Sequence, residues 1–106
     1  MAVSIRAAEV TQVIVACEAG MGSSVMVVSA LRKKMKAANC QVDVVHKPAR
    51  QVPADAKVVL VHKGLADTVR RTVPNAVVIA FNQFLGDPAF DGLITDLAAG
   101  EVKERR

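Results

Sequence analysis

Four short apolar runs punctuate the chain: Val13 to Ala16, Val42 to Val45, Val58 to Val61 and Val77 to Ala80. They are rich in β-branched residues and, Asp43 apart, apolar at consecutive rather than alternating positions, which is the pattern of strands buried on both faces of a parallel sheet. Between the first two runs the period changes. Val28, Leu31, Met35 and Ala38 recur on one face while Arg32, Lys33 and Lys36 fall on the other, so the spacing predicts a helix over Ser23 to Asn39. The link from His46 to Lys57 contains Pro48 and Pro53 and predicts an extended loop with at most one helical turn. A short helix is expected over Leu65 to Val73, ending before Pro74-Asn75. A last one is expected from Asp87 or Pro88 to Ala99, with Asp87 as its N-cap and Gly100 as its stop.

Strands joined by right-handed helical crossovers imply an α/β, Rossmann-like fold: a four-stranded parallel sheet of order 2-1-3-4 with helices on both faces. The 106 residues suffice for one core and not two, so residues 1–106 are read as a single domain, its core at about 11–99 and its ends, Met1 to Val10 and Glu101 to Arg106, frayed. In such a sheet ligands bind at the carboxyl ends of the strands beside the switch point, here next to the first strand.

That place is occupied by Cys17-Glu18-Ala19-Gly20-Met21-Gly22-Ser23-Ser24, a phosphatase-like cysteine loop between strand and helix. Gly20 and Gly22 let the backbone turn its N–H groups into one concavity, and the hydroxyls of Ser23 and Ser24 add donors at the start of the helix. The same donors and the helix dipole that would hold a phosphate also favour an ionised thiol, so Cys17 is the candidate nucleophile for phosphocysteine chemistry. Glu18 would oppose ionisation if it turned inward and is expected to point to solvent or to cap a neighbouring N–H. Val25 and Met26 belong to the first turn of the helix. Met21, in the loop, would suit a transient protein contact, as would Val25 and Met26 beside it. His62 and Lys63 close the third strand, which borders the loop, and could help to draw in an anionic partner.

Composition narrows the alternatives. The net charge of +4 is mild, and three phenylalanines with no Trp or Tyr supply too few stacking surfaces for a nucleic-acid binder. No apolar run approaches the roughly 18 to 20 residues that cross a bilayer, so no membrane insertion is expected and a cytoplasmic location is. A helix of roughly 25 Å would separate Cys17 from Cys40, so both are expected as reduced thiols, Cys40 as a small inert hydrophobe. Cys17, Cys40, His46 and His62 form no close ligand pairs, and neither a metal nor a cofactor is expected. Cysteine phosphatases with a similar loop carry an Arg six residues after the nucleophile and a separate acid for the leaving alcohol. Ser23 holds the first position and Asp87 is a weak candidate for the second, which ranks hydrolysis below transfer.

The run VIVACEAGMGSSVM resembles the phosphocysteine loop of mannitol-type enzyme IIB domains of the bacterial phosphoenolpyruvate-dependent sugar phosphotransferase system. The likeness continues through LRKKMK, VVLVHKGLADTVRRTVPNA and NQFLGDPAFDGLITDL. It implies a phosphocarrier: phosphate arrives from a phosphohistidine of enzyme IIA, resides on Cys17, and passes to mannitol or a related sugar alcohol bound by membrane enzyme IIC. It also implies that residues Glu18 to Ser24 provide the phosphate-binding donors. A carrier presenting one loop to two partners in turn is expected to be a monomer. The alternatives are a regulatory phosphoacceptor IIB module, whose DNA-binding segment would lie outside this sequence, and a low-molecular-weight cysteine phosphatase.

Overall fold

A computed structural model describes residues 4–17, 23–40, 42–82 and 88–103; at positions 17 and 23–25 the backbone alone is described. In chain order the elements are β1 (Ser4–Arg6), β2 (Gln12–Cys17), α1 (Ser23–Ala37), β3 (Asp43–Pro48), β4 (Val58–His62), α2 (Ala66–Thr72), β5 (Val77–Phe81), α3 (Pro88–Ala99) and β6 (Glu101–Lys103). β2, β3, β4 and β5 form one parallel sheet in the order β3-β2-β4-β5. The expected order counted only these four runs; the labels shift by one because β1 precedes them.

Alternation of side chains along the strands sorts the interior into two layers. Val13, Val15, Val58, Leu60, Val77 and Phe81 pack against α1 and α3, joined by Val27, Leu31, Met35, Phe90 and Leu93. On the other face Ile14, Ala16, Val59, Val61 and Val78 meet Ala66 and Val69 of α2 and Ala49 and Val52 of the β3–β4 link. The inner strands β2 and β4 are buried on both sides, which is why their sequences show no alternation.

The helix ends follow from single residues. Asn39, at φ 59°, closes α1: its N–H donates to Lys36 O at 3.1 Å and that of Cys40 to Met35 O at 2.8 Å. This is the paired bonding of a Schellman cap, so the helix stops at Ala37, two residues before the expected end. Gly100, at φ 101°, ends α3 as its position suggested, with its N–H on Asp96 O at 3.0 Å. The expected N-cap Asp87 lies outside the described residues.

The ends of the chain differ from expectation. β1 and β6 pair antiparallel as a separate two-stranded sheet, Ile5 opposite Val102, and Val10 and Val102 are buried in the α1/α3 layer. Residues 4–10 and 101–103 are therefore part of the packed structure rather than frayed. Each strand is three residues long, too short to show a period, and the pairing joins positions almost a full chain length apart. The Lys103 N–H donates to Oδ2 of the buried Asp96 at 3.3 Å, which ties the ribbon to α3.

Candidate active site

β2 is an inner strand, with β3 reached through α1 on one side and β4 on the other, so the sheet changes direction at its carboxyl end. Cys17 is the last residue of β2, opposite Pro48 of β3, and α1 begins at Ser23. Glu18, Ala19, Gly20, Met21 and Gly22 lie outside the described residues, as do the side chains of Cys17, Ser23, Ser24 and Val25. Among the remaining expected site residues, Met26 is 51% exposed on the first turns of α1, an open apolar side chain as a contact residue would be.

His62 ends β4. Ala16 pairs with Val61, so the next residues along the two neighbouring strands are Cys17 and His62, with strands about 4.8 Å apart. His62 in turn pairs with Phe81 of β5. One row across the carboxyl edge therefore runs Pro48, Cys17, His62, Phe81. The imidazole is half-buried; its Nδ1 accepts the Gly64 N–H at 3.3 Å, and its ring meets that of Phe81 edge-on, 5.9 Å between centroids. Lys63 is exposed at the start of the short 3-10 turn Lys63–Leu65.

Two further basic residues come to this edge without having been singled out from the sequence. β3 continues to Pro48 rather than stopping at Val45, which puts Lys47 opposite Ala16 and Arg50 on the turn that follows. The signal was legible, because a residue before proline is biased to extended backbone, and Lys47 precedes Pro48. Lys47 and Arg50 on one side of β2, and His62 and Lys63 on the other, thus flank its carboxyl end along the sheet.

The opposite pole of α1 holds Cys40, half-buried against the α1/α3 layer as a free thiol. Among the described residues no three His, Cys, Asp or Glu side chains gather closely enough to hold a metal, and no helix is long and apolar enough to cross a membrane.

A cysteine closing an inner strand of a doubly covered parallel sheet, at its switch point and just ahead of a long helix, defines this as an α/β domain whose candidate site lies at the carboxyl edge of the sheet. The chain belongs to the family described as "PTS system, Lactose/Cellobiose specific IIB subunit", whose model matches residues 12–96. It is similar to the mannitol-specific EIICB component of Bacillus subtilis (strain 168), 42% identical over 88 residues, which are 83% of this chain and 18% of that protein. The EIICB component of Staphylococcus saprophyticus is 44% identical over 90 residues, 84% of this chain and 18% of that protein. In the mannitol-specific EIICBA component of Pasteurella multocida the identity is 38% over 95 residues, 90% of this chain and 15% of that protein. The chain spans about a fifth or less of the length of these curated relatives.

Proposed function

We propose that this domain is the phosphocarrier of a sugar phosphotransferase system and that Cys17 carries the phosphate. The observation that supports this most directly is the position of Cys17 at the carboxyl end of β2, between β3 and β4, with α1 starting six residues later. Ligand-binding loops of parallel sheets occupy that place, and a helix N-terminus there favours both phosphate and thiolate.

The donor is a phosphohistidine of enzyme IIA. The Cys17 thiolate forms the S–P bond while the electron pair of the N–P bond returns to the donor imidazole, which leaves neutral when its other nitrogen holds a proton. No general acid is needed, so the step does not call for the separate acid that hydrolases use on their leaving alcohol. In the second step the sugar hydroxyl oxygen forms the O–P bond, the S–P pair restores the thiolate, and the hydroxyl proton passes to a base at the acceptor site. Glu18 to Ser24 provide the phosphate donors; Met21, Val25 and Met26 contribute apolar contact to the partners. The acceptor is mannitol or a related sugar alcohol held by a membrane enzyme IIC, by analogy with the mannitol-specific names of the relatives. The domain works as a monomeric unit at the cytoplasmic face of the membrane, passing from one partner to the other.

Intact-protein mass spectrometry at neutral or mildly alkaline pH tests this, after incubation with phosphoenolpyruvate, the general phosphotransferase proteins and a mannitol-type enzyme IIA. A single phosphate adduct, absent in Cys17→Ser, is expected. No adduct in the presence of demonstrably phosphorylated IIA would overturn the reading. Steady hydrolysis of a chromogenic phosphate ester would favour a phosphatase instead.

A further inference from the structure

The 15-residue helix α1 carries four cations, Arg32, Lys33, Lys34 and Lys36, and no acidic residue. Its neighbour on the same sheet face, α3, has Asp91 and Asp96 and no Lys or Arg. Lys34 is neutralised by Asp91 across the seam between the two helices, whereas Arg32 donates to the uncharged Val44 carbonyl and keeps its full charge in a fixed place. Lys33 and Lys36 are exposed, and among the described residues neither has an ion-pair partner.

The outward face of α1 changes character along its length. Met26, Ser29, Lys33 and Lys36 are all exposed and follow one another at helical steps, so they form one line on the helix surface with Arg32 beside it. The line starts with the 51% exposed thioether of Met26, toward the end of the helix that follows Cys17, and becomes basic further out. Protein interfaces are built in this order, with an apolar centre and a charged rim. The scale agrees. A docking face of about 800 Å² is a disc of about 16 Å radius. At about 1.5 Å per residue, Lys33 lies about 15 Å and Lys36 about 20 Å along the axis from Ser23, where α1 begins. A partner centred on the thiol edge and leaning over α1 therefore meets Arg32 and Lys33 at its rim and has Lys36 just outside it. The sign of the surface changes across the Lys34–Asp91 seam, which gives carboxylates of the partner one side on which to lie.

We infer that the outward face of α1, from Met26 to Lys36, is a docking surface for the phosphorylated donor protein, and that the part of the donor lying over Arg32, Lys33 and Lys36 is acidic. The inference rests on the carrier reading of Cys17 and adds to it the surface and the charge of the partner. These cations act on encounter: rim charges steer association and change its rate, while the bonds exchange at the other end of the helix.

Charge reversal separates the two steps. The whole chain and its Lys33→Glu, Lys36→Glu and Lys57→Glu variants are phosphorylated by phosphorylated IIA over a range of donor concentrations, with rapid quench and mass spectrometry as the readout. Lys57 is exposed just before β4, at the opposite edge of the sheet, and controls for net charge. At low salt Lys33→Glu is expected to lower the second-order rate constant about tenfold and Lys36→Glu less, with Lys57→Glu near wild type. The rate at saturating donor should be the same in all four proteins, and the differences should fade as salt is raised. Equal effects of Lys33→Glu and Lys57→Glu, or a wild-type rate constant in both α1 variants, would overturn the proposal and leave the carrier reading in place. So would wild-type transfer joined to lost binding of phosphatidylglycerol vesicles, which would assign the face to a membrane surface. No phosphate on Cys17 in the unaltered chain, with IIA phosphorylated, would overturn both.

Discussion

The two faces of the parallel sheet are built differently. The layer under α1 and α3 contains the large buried side chains Phe81, Phe90, Leu31, Met35 and Leu93, whereas the layer under α2 is made of Ile14 with valines and alanines. One face is covered by helices of 15 and 12 residues, the other by a helix of seven and short turns. The thick layer also holds the row that ends in Phe81 and His62 and carries the helix that starts after Cys17. The larger buried side chains are thus concentrated on the face under α1 and α3, while the other face is covered by smaller ones.

The strongest way to break that contrast is to truncate the thick layer. Phe90→Ala removes a fully buried ring and its contact with Phe81, and is expected to cost about 3–5 kcal/mol, measured by urea denaturation. Val69→Ala in the thin layer is expected to cost about 2 kcal/mol by the same measurement, since only two methyl groups and a small cavity are involved. Equal costs would remove the distinction between the layers.

Smaller effects sharpen it on the outer surface of α1. Arg32 donates from Nε and Nη2 to the Val44 carbonyl at 3.0 and 2.7 Å, covering a backbone acceptor on the edge strand β3. Arg32→Ala is expected to lower stability by about 0.5–1.5 kcal/mol, and Arg32→Lys, which lacks the paired donors, should restore only part of it. Two residues on, Lys34 pairs with Asp91 of α3 at 2.9 Å, but with side chains 40% and 69% exposed. Lys34→Ala should change stability by about 0–1 kcal/mol, and the difference should fade as salt is raised. Two neighbouring cations on one helix are thereby expected to separate by the partner they meet, backbone carbonyl or exposed carboxylate.

Arg32 also shows where sequence pattern stops being informative. Its place opposite Val28, Leu31 and Met35 marked it as an outward cation, which describes its position on the helix and not its partner. The partner is a carbonyl on the next strand, and a carbonyl leaves no trace in the sequence. His62 is similar: its position at the end of an apolar run was legible, whereas its contacts with Gly64 and Phe81 depend on a turn and on a neighbouring strand.

Local chemistry was enough to place the inner strands, because residues buried on both faces must be apolar without interruption, and enough to place α1, because one-sided burial imposes a helical period, and α3, because Pro88 and Gly100 mark its two ends. It also placed Cys17 at the end of the first of the four runs and Gly100 at the end of α3, where a left-handed residue is needed. The pairing of β1 with β6, the bond from Arg32 to Val44 and the row joining Cys17 to His62 were decided only by the tertiary structure. Each is a contact between segments distant along the chain. A short strand has too few residues to show a period, and a partner across the sheet is chosen by register, which the sequence of either strand taken alone does not specify.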